Sequence, residues 1–84
     1  MYYVYLVRNE KDELYIGYTE DLERRLEAHN AGINTSTKGH TWQYVYYEAY
    51  LSEKDAKTRE AKLKRHGQSK RHLKERIAGS LQLQ

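Results

Sequence analysis

The chain has 84 residues, which is enough for one domain and too few for two hydrophobic cores. It has no cysteine, so disulfides and thiolate zinc sites are excluded, and nine tyrosines and one tryptophan must supply much of the core. The net charge is +3, no apolar run approaches the roughly 20 residues of a membrane span, and the N-terminus lacks a signal-peptide pattern, so we expect a cytoplasmic protein without a membrane partner.

Two strands joined by a short polar turn are predicted at the start of the chain. Residues 2–8 and 13–18 are rich in aromatic and β-branched side chains. The turn at residues 9–12 is short enough to predict an antiparallel hairpin. Alternation along the strands puts Tyr5 and Tyr15 on one face, with the aliphatic residues on the other.

A helix is predicted over residues 20–30, with Thr19 as its N-cap and Gly32 as its stop. Residues 31–41 are polar and glycine-containing, so we expect a loop. Residues 42–50 are aromatic nearly throughout and predict a third strand.

Two further helices are predicted in the last third of the chain. Ser52 is expected to open the second helix, which runs to about His66, where Gly67 breaks it. Ser69 is expected to cap a third helix that reaches about Ala78, with a glycine ending it.

The predicted order is β-β-α-β-α-α. This is an α/β chain of the α+β type, with a small three-stranded antiparallel sheet flanked by about three helices. Residues 1–80 are expected to form a single domain, and residues 81–84 are expected to be a frayed tail.

The positive charge is concentrated near the end of the chain. Residues 57–76 contain nine lysines and arginines and two glutamates, whereas residues 1–56 contain six lysines and arginines and ten carboxylates. A block this basic favours a polyanionic partner, and a solvated helix face is an equally good interpretation of this feature alone.

Several polar residues fall where helices should face the sheet. Arg25 and His29 share a stripe with two leucines, and Glu60 lies between apolar positions of the second helix. Ordinary interpretations exist for each: an arginine head in water, a hydrogen-bonded histidine, and a salt bridge from Glu60 to Lys64 or Arg59. The combination, together with two phenols, favours one reactive region.

These groups suit metal-assisted phosphodiester cleavage. A carboxylate can hold one divalent cation, which polarises a phosphoryl oxygen and assists the leaving oxygen. An arginine gives a two-pronged donor to the phosphate. A phenol is a poor base at neutral pH unless nearby cations favour its ionised form.

The same residues carry a resemblance to a known family. The triplet Tyr15-Ile16-Gly17, followed by an Arg-Arg pair and later by Arg59-Glu60, resembles the GIY-YIG nuclease superfamily. The closest likeness is to its small stand-alone members and to the N-terminal nuclease domain of the bacterial excision-repair subunit that makes the 3′ incision. The matching stretches are YYVYLV at 2–7, LYIGYTEDLERRLEAHN at 14–30, TWQYVYYEAY at 41–50 and SEKDAKTREAKLKR at 52–65.

The resemblance implies roles for the residues of the sheet and the first helix. It implies that Tyr15 is the favoured general base and that Tyr5 helps position water or phosphate. Gly17 corresponds to the glycine that lets backbone and substrate approach closely. Arg25 corresponds to the catalytic arginine, with Arg24 the less favoured alternative.

His29 corresponds to a recurring active-site histidine of the family. Glu60 corresponds to the glutamate that binds a single Mg²⁺ or Mn²⁺ ion. The resemblance therefore implies one metal ligand from the protein, Glu60, and a divalent cation as the cofactor.

We therefore expect a metal-dependent endonuclease that cuts DNA with structural or weak sequence selectivity, with a role in DNA repair or recombination. RNA is a further possible substrate. The alternatives are a non-catalytic nucleic-acid-binding module on the same scaffold and a protein-interaction module that pairs through its tyrosine-rich strand. The expected nucleic-acid contacts are basic residues of the last two helices: Lys62, Lys64, Arg65, Lys70, Arg71 and Lys74.

Overall fold

The computed structural model describes residues 1–83, and its strands form one antiparallel sheet. The strands are β1 (Tyr2–Asn9), β2 (Leu14–Thr19) and β3 (Trp42–Tyr50), in the order β2-β1-β3. Both neighbours of β1 run antiparallel to it, which confirms the predicted hairpin and the three-stranded sheet.

The helices follow in the predicted order, which confirms the α+β class. They are α1 (Leu22–Asn30), α2 (Glu53–Arg65), α3 (Gly67–Arg76) and a short α4 (Ala78–Leu81). The predicted loop before β3 contains a single 3₁₀ turn, Thr35–Thr37. Within residues 1–83, no helix is both long enough and apolar enough to span a bilayer.

The sheet is buried on both faces, and the two faces differ in chemistry. Helices α2 and α3 cover an aliphatic core made of Val4, Leu6, Ile16, Ala56, Leu63, Leu73 and Ile77. Helix α1 covers the other face, whose core is aromatic and consists of Tyr5, Val7 and Trp42, with Tyr15, Leu22, Leu26 and Tyr44 packed around it. The predicted alternation along the first two strands is thus confirmed.

Asp21, rather than Thr19, is the N-cap of α1. The Asp21 side chain accepts a hydrogen bond from the backbone N–H of Arg24 at 3.1 Å, whereas the Thr19 hydroxyl accepts from the N–H of Asp21 itself. The helix therefore begins two residues later than predicted. Gly32 is confirmed as the stop: its φ of +76°, which side-chain-bearing residues rarely adopt, turns the chain so that the N–H of Ile33 bonds back to the carbonyl of Ala28 at 3.2 Å.

Ser52 caps α2 as predicted, by accepting from the N–H of Asp55 at 3.2 Å. The junction with α3 differs from the prediction. His66 alone adopts extended backbone between the helices, and Gly67 is the first residue of α3. Ser69 therefore lies inside the helix that it was expected to cap, and no side chain caps the start of α3.

Helix α3 ends at Arg76, two residues earlier than predicted, and the chain turns at Ile77 into α4. The Arg8 guanidinium donates to the carbonyls of Leu81 and Leu83, which ties this end of the chain to β1. Fraying of residues 81–84 stays a prediction, and Gln84 lies outside the described residues.

One side chain joins the end of α1 to the start of β3. The Asn30 carboxamide accepts from the backbone N–H of Trp42 at 2.6 Å and donates to the Trp42 carbonyl at 3.2 Å. It thereby pairs with Trp42 as a neighbouring strand would, and it closes the loop of residues 31–41 at its base.

Candidate active site

Tyr5 is the centre of a buried hydrogen-bond network between the sheet and α1. Its side chain is 1% exposed. The hydroxyl lies 2.6 Å from Nε2 of His29, and it accepts a hydrogen bond from Nε of Arg25 at 3.0 Å. The stripe predicted for α1 therefore brings Arg25 and His29 onto the same phenol.

The proton positions in this network follow from its chemistry. An arginine N–H can only donate, so the single proton of the Tyr5 hydroxyl points to His29. Nε2 of His29 then accepts, and its Nδ1 carries the proton that it donates to the hydroxyl of Thr37, 2.7 Å away. The Thr37 hydroxyl in turn donates a hydrogen bond to the backbone carbonyl of Asn34 at 3.4 Å. The chain Arg25, Tyr5, His29, Thr37, Asn34 has one consistent direction.

Burial keeps His29 neutral. The residue is fully buried, and burial together with the nearby Arg25 charge lowers the pKa of His29 to about 4. Burial likewise raises the pKa of Tyr5, against the opposing effect of its Arg25 contact. Tyr5 therefore keeps its proton at neutral pH.

Thr37 and Trp42 belong to this network although sequence reasoning assigned them no role. Thr37 is fully buried, and its carbonyl accepts from the indole N–H of Trp42 at 2.9 Å. The His29 ring lies edge-on to Tyr15, with 5.5 Å between ring centroids, and 6.3 Å from Trp42. A polar Thr-Ser-Thr run before the aromatic strand was the only sequence signal for Thr37.

The missing side chain of Gly17 leaves the space that the Tyr5 ring occupies. Gly17 lies opposite Tyr5 in the β1–β2 ladder, on the same face of the sheet. A Cβ on Gly17 would overlap the Tyr5 hydroxyl and the ring carbon that bears it. The structure therefore explains the glycine by close approach of a side chain within the site, and its φ is not positive.

The Arg25 guanidinium is held at one nitrogen only. Nε contacts Tyr5, and within residues 1–83 neither terminal nitrogen has a hydrogen bond or a carboxylate partner. These nitrogens form the donor fork that binds phosphate bidentately. Arg24 is exposed on another side of the helix, so the geometry favours Arg25 for contact with the site.

Glu60 and Lys64 of α2 reach the edge of the same region. Nζ of Lys64 lies 3.1 Å from Oε2 of Glu60 and 5.5 Å from the centroid of the Tyr15 ring. The ordinary interpretation of Glu60 as a partner of Lys64 is thus confirmed for the isolated protein. The phenol of Tyr15, unlike that of Tyr5, has no hydrogen-bond partner among the described residues.

A similar arrangement occurs two turns earlier in α2, except that the Tyr18 hydroxyl also donates to Glu53 at 2.9 Å. There Nζ of Lys57 lies 3.5 Å from Glu53 and 5.4 Å from the centroid of the Tyr18 ring. The Glu53 side chain is 49% exposed and that of Glu60 only 22%. Only the second set includes Tyr15, whose ring lies against that of His29, so the first set is an internal control for the second.

The donor atoms fit a metal site with a single protein carboxylate. Among residues 1–83, no three His, Cys, Asp or Glu side chains are grouped as metal ligands. Glu60 offers hard oxygen atoms, is partly shielded, and is paired only with the flexible ammonium of Lys64. Mg²⁺ commonly takes one carboxylate, with water and substrate phosphate completing its coordination. Glu60 would hold such an ion.

The six basic residues expected to contact nucleic acid do not share one surface. Lys64 lies over Tyr15 at the site, Lys62 lines a cavity between α2 and α3, and Lys74 lines another cavity near Arg8. Arg65 and Arg71 are exposed, and Lys70 is half-buried. The assignment of all six to nucleic-acid contact stays a prediction.

Comparisons with known proteins agree with the geometry. The family model described as the GIY-YIG catalytic domain matches residues 1–76, which confirms the resemblance seen in the sequence. A UPF0213 protein of Haloquadratum walsbyi is 39% identical over 72 residues, which cover 83% of this chain and 81% of that relative. A UPF0213 protein of Clostridium perfringens is 36% identical over 67 residues, covering 77% and 72%. No solved structure matches.

Proposed function

Since this chain belongs to the GIY-YIG catalytic domain family, we propose that it is an endonuclease that uses a divalent cation to hydrolyse DNA phosphodiester bonds. The observation that carries the proposal is the meeting of an open phenol, a guanidinium with free terminal nitrogens and one half-buried carboxylate at the edge of β2.

Arg25 binds the phosphate that is cut. Tyr5 holds its Nε, and His29 and Thr37 hold Tyr5, so the guanidinium is oriented before substrate arrives. A fork fixed in this way stabilises the charge that grows on the phosphoryl oxygens without reorganising during the reaction. In this role Tyr5 and His29 are positioning residues.

Tyr15, in its phenolate form, accepts the proton of the attacking water and becomes the neutral phenol. Its phenol oxygen is free of hydrogen bonds within residues 1–83, whereas that of Tyr5 is already used twice. The ammonium of Lys64 lies over the Tyr15 ring, so the negative charge of the phenolate has a cation nearby before it takes up the proton. Proton transfer to a positioned group of this kind contributes roughly 100-fold or more to a rate.

Glu60 would hold the divalent ion, Mg²⁺ or Mn²⁺, through the carboxylate that pairs with Lys64 beside Tyr15. When bound, such an ion polarises the phosphoryl oxygen and stabilises the leaving oxygen. Lys64 pairs with only one of the Glu60 oxygens, and its ammonium can also pair with a substrate phosphate.

Distorted DNA, with unpaired bases, is the substrate class that fits the surface. The domain measures 29 × 25 × 20 Å, and its basic residues are spread over several surfaces, so phosphate contacts position DNA without reading a long sequence. Tyr47 is 55% exposed and lies edge-on to Tyr3, on the same sheet face as Tyr5. Exposed rings of this kind stack on unpaired bases. A function in DNA repair or recombination would use such substrates.

The test compares two carboxylate variants of the same helix. Labelled branched and single-stranded DNA are incubated with the parent, Glu60→Gln and Glu53→Gln, with Mg²⁺ or Mn²⁺. We expect cleavage by the parent and by Glu53→Gln, and a loss of at least roughly 100-fold in Glu60→Gln. DNA binding without metal should be unchanged or tighter in Glu60→Gln, because a negative charge is removed.

A second pair separates the two strand tyrosines. Tyr15→Phe should lower the cleavage rate by roughly 100-fold, and Tyr18→Phe should change it less than about twofold. Cleavage that persists in Glu60→Gln or Tyr15→Phe would contradict the proposed roles. Salt-sensitive binding with no cleavage by the parent would instead identify a non-catalytic nucleic-acid-binding module.

A further inference from the structure

A second charged cavity lies between α2 and α3, on the opposite face of the sheet from Tyr5. Its volume is about 280 Å³. The lining is rich in cations and contains no carboxylate; it consists of Arg59, Lys62, Ser69, His72, Leu73 and Arg76. None of these residues belongs to the candidate active site, so the cavity needs an explanation of its own.

Arg59 is built into the wall of the cavity by Glu48. Its Nε and Nη2 each lie 3.0 Å from a Glu48 oxygen, and the carboxylate also accepts from the hydroxyls of Tyr46 and Tyr50. Burial opposes ionisation of Glu48, but the Arg59 and tyrosine hydrogen bonds outweigh it and hold the pKa of Glu48 below its usual value. Glu48 therefore neutralises the charge of Arg59, and both Glu48 oxygens already accept hydrogen bonds from Arg59, Tyr46 and Tyr50.

Two positive charges of the cavity are left without a partner. Within residues 1–83, neither Lys62 nor Arg76 makes an ion pair or a side-chain hydrogen bond. Ser69 and His72 add hydrogen-bonding groups to the same wall. The cavity thus offers two uncompensated cations and several donors, which is the complement of a compact dianion.

We propose that this cavity binds a phosphate monoester. A monoester carries about 1.5 to 2 negative charges at pH 7 and three strong acceptor oxygens, whereas a backbone diester carries about one charge. The end of a nucleic-acid strand and a free mononucleotide both present this group. Because the cavity and the Arg25–Tyr5 network lie on opposite faces of the sheet, binding here does not depend on cleavage.

The experiment measures preference for a phosphorylated strand end. A short 3′-fluorescent single strand, with a 5′-phosphate or a 5′-hydroxyl, is titrated with the full chain in chelator, and binding is followed by anisotropy. We expect the phosphorylated strand to bind roughly tenfold more tightly. Arg76→Gln should abolish this ratio. Arg71→Gln, the same change at another exposed position of this helix that does not line the cavity, should weaken binding of both strands and keep the ratio.

Two further measurements identify which phosphate monoester binds and test this proposal independently of the proposed nuclease activity. A nucleoside 5′-monophosphate that competes as well as the phosphorylated strand would assign the cavity to free nucleotides. Glu60→Gln should retain the full ratio whether or not the parent cuts DNA. Equal affinity of the parent for the two strands, or a ratio that survives Arg76→Gln, would overturn the proposal.

Discussion

The two faces of the sheet hold the domain together by different means. Under α2 and α3, aliphatic side chains such as Leu6 and Leu63 meet through contacts that have no preferred direction. Under α1, the buried polar side chains of Tyr5, His29 and Thr37 are joined by directional hydrogen bonds, each to specific partners. The aliphatic face therefore contributes mainly to stability, whereas the hydrogen bonds of the α1 face fix the orientation of its buried side chains.

The largest effect is expected on the aliphatic face. Leu63 is 2% exposed in the centre of that core, and Leu63→Ala should lower the free energy of unfolding by about 2–5 kcal/mol, because it removes buried methyl groups and leaves a cavity. Urea denaturation measures this loss. Leu51→Ala is the control, since Leu51 is 86% exposed and should change stability by less than about 0.5 kcal/mol. Cleavage per folded molecule should survive in both variants.

A smaller loss of stability with a larger loss of cleavage is expected at Gly17. In Gly17→Ala the new methyl group meets the Tyr5 hydroxyl, so the ring must move and its contacts with Arg25 and His29 change. We expect about 1–3 kcal/mol of destabilisation and cleavage near background. Gly79→Ala, where a methyl group meets nothing within 4 Å, should leave both measurements near those of the parent. Full activity in Gly17→Ala would remove the functional difference between the faces.

The smallest effect is a pH dependence that belongs to the α1 face. The folded protein keeps His29 neutral to about pH 4, whereas the unfolded chain takes up this proton near pH 6.5. The unfolded state thus binds more protons between these values, so stability is complete above pH 6.5 and falls as the pH decreases. We expect a loss on the order of 1 kcal/mol between pH 7 and pH 5.

Urea denaturation at both pH values measures that loss, and His29→Gln should reduce it. Carboxylates such as Glu48 take up protons below pH 5, so they contribute little to the loss of stability between pH 7 and pH 5. An equally steep dependence in His29→Gln would assign the effect to other groups.

Most of the fold could be predicted because its signals are local. Alternation in β1 and β2 predicts which side chains face which layer, and a serine and a glycine mark the start of α2 and the end of α1. The junction between α2 and α3 was predicted, but one residue late, because the sequence does not show the φ of a glycine. Gly67 has the ordinary negative φ of a helix, and His66 makes the break instead.

The candidate site was predictable where it follows helical periodicity, and not where it depends on loop geometry. Spacing in α1 placed Arg25 and His29 together, and spacing in α2 placed Glu60 at a partly buried position. Thr37 reaches His29 only through a loop conformation that no periodic pattern encodes. The partly buried position of Glu48 was not predicted. Because β3 is aromatic on both faces, alternation along it does not show which side chains face a helix.

The carboxamide of Asn30 sets how the loop after α1 can evolve. Because this side chain pairs with both polar groups of the Trp42 backbone, the two ends of residues 31–41 are pinned together independently of what lies between them. Extra residues near Gly39, where a side chain would meet nothing within 4 Å, add only a slowly growing closure entropy. Insertions after Thr37 can therefore lengthen the loop while its two ends stay paired and Thr37 keeps its contact with His29.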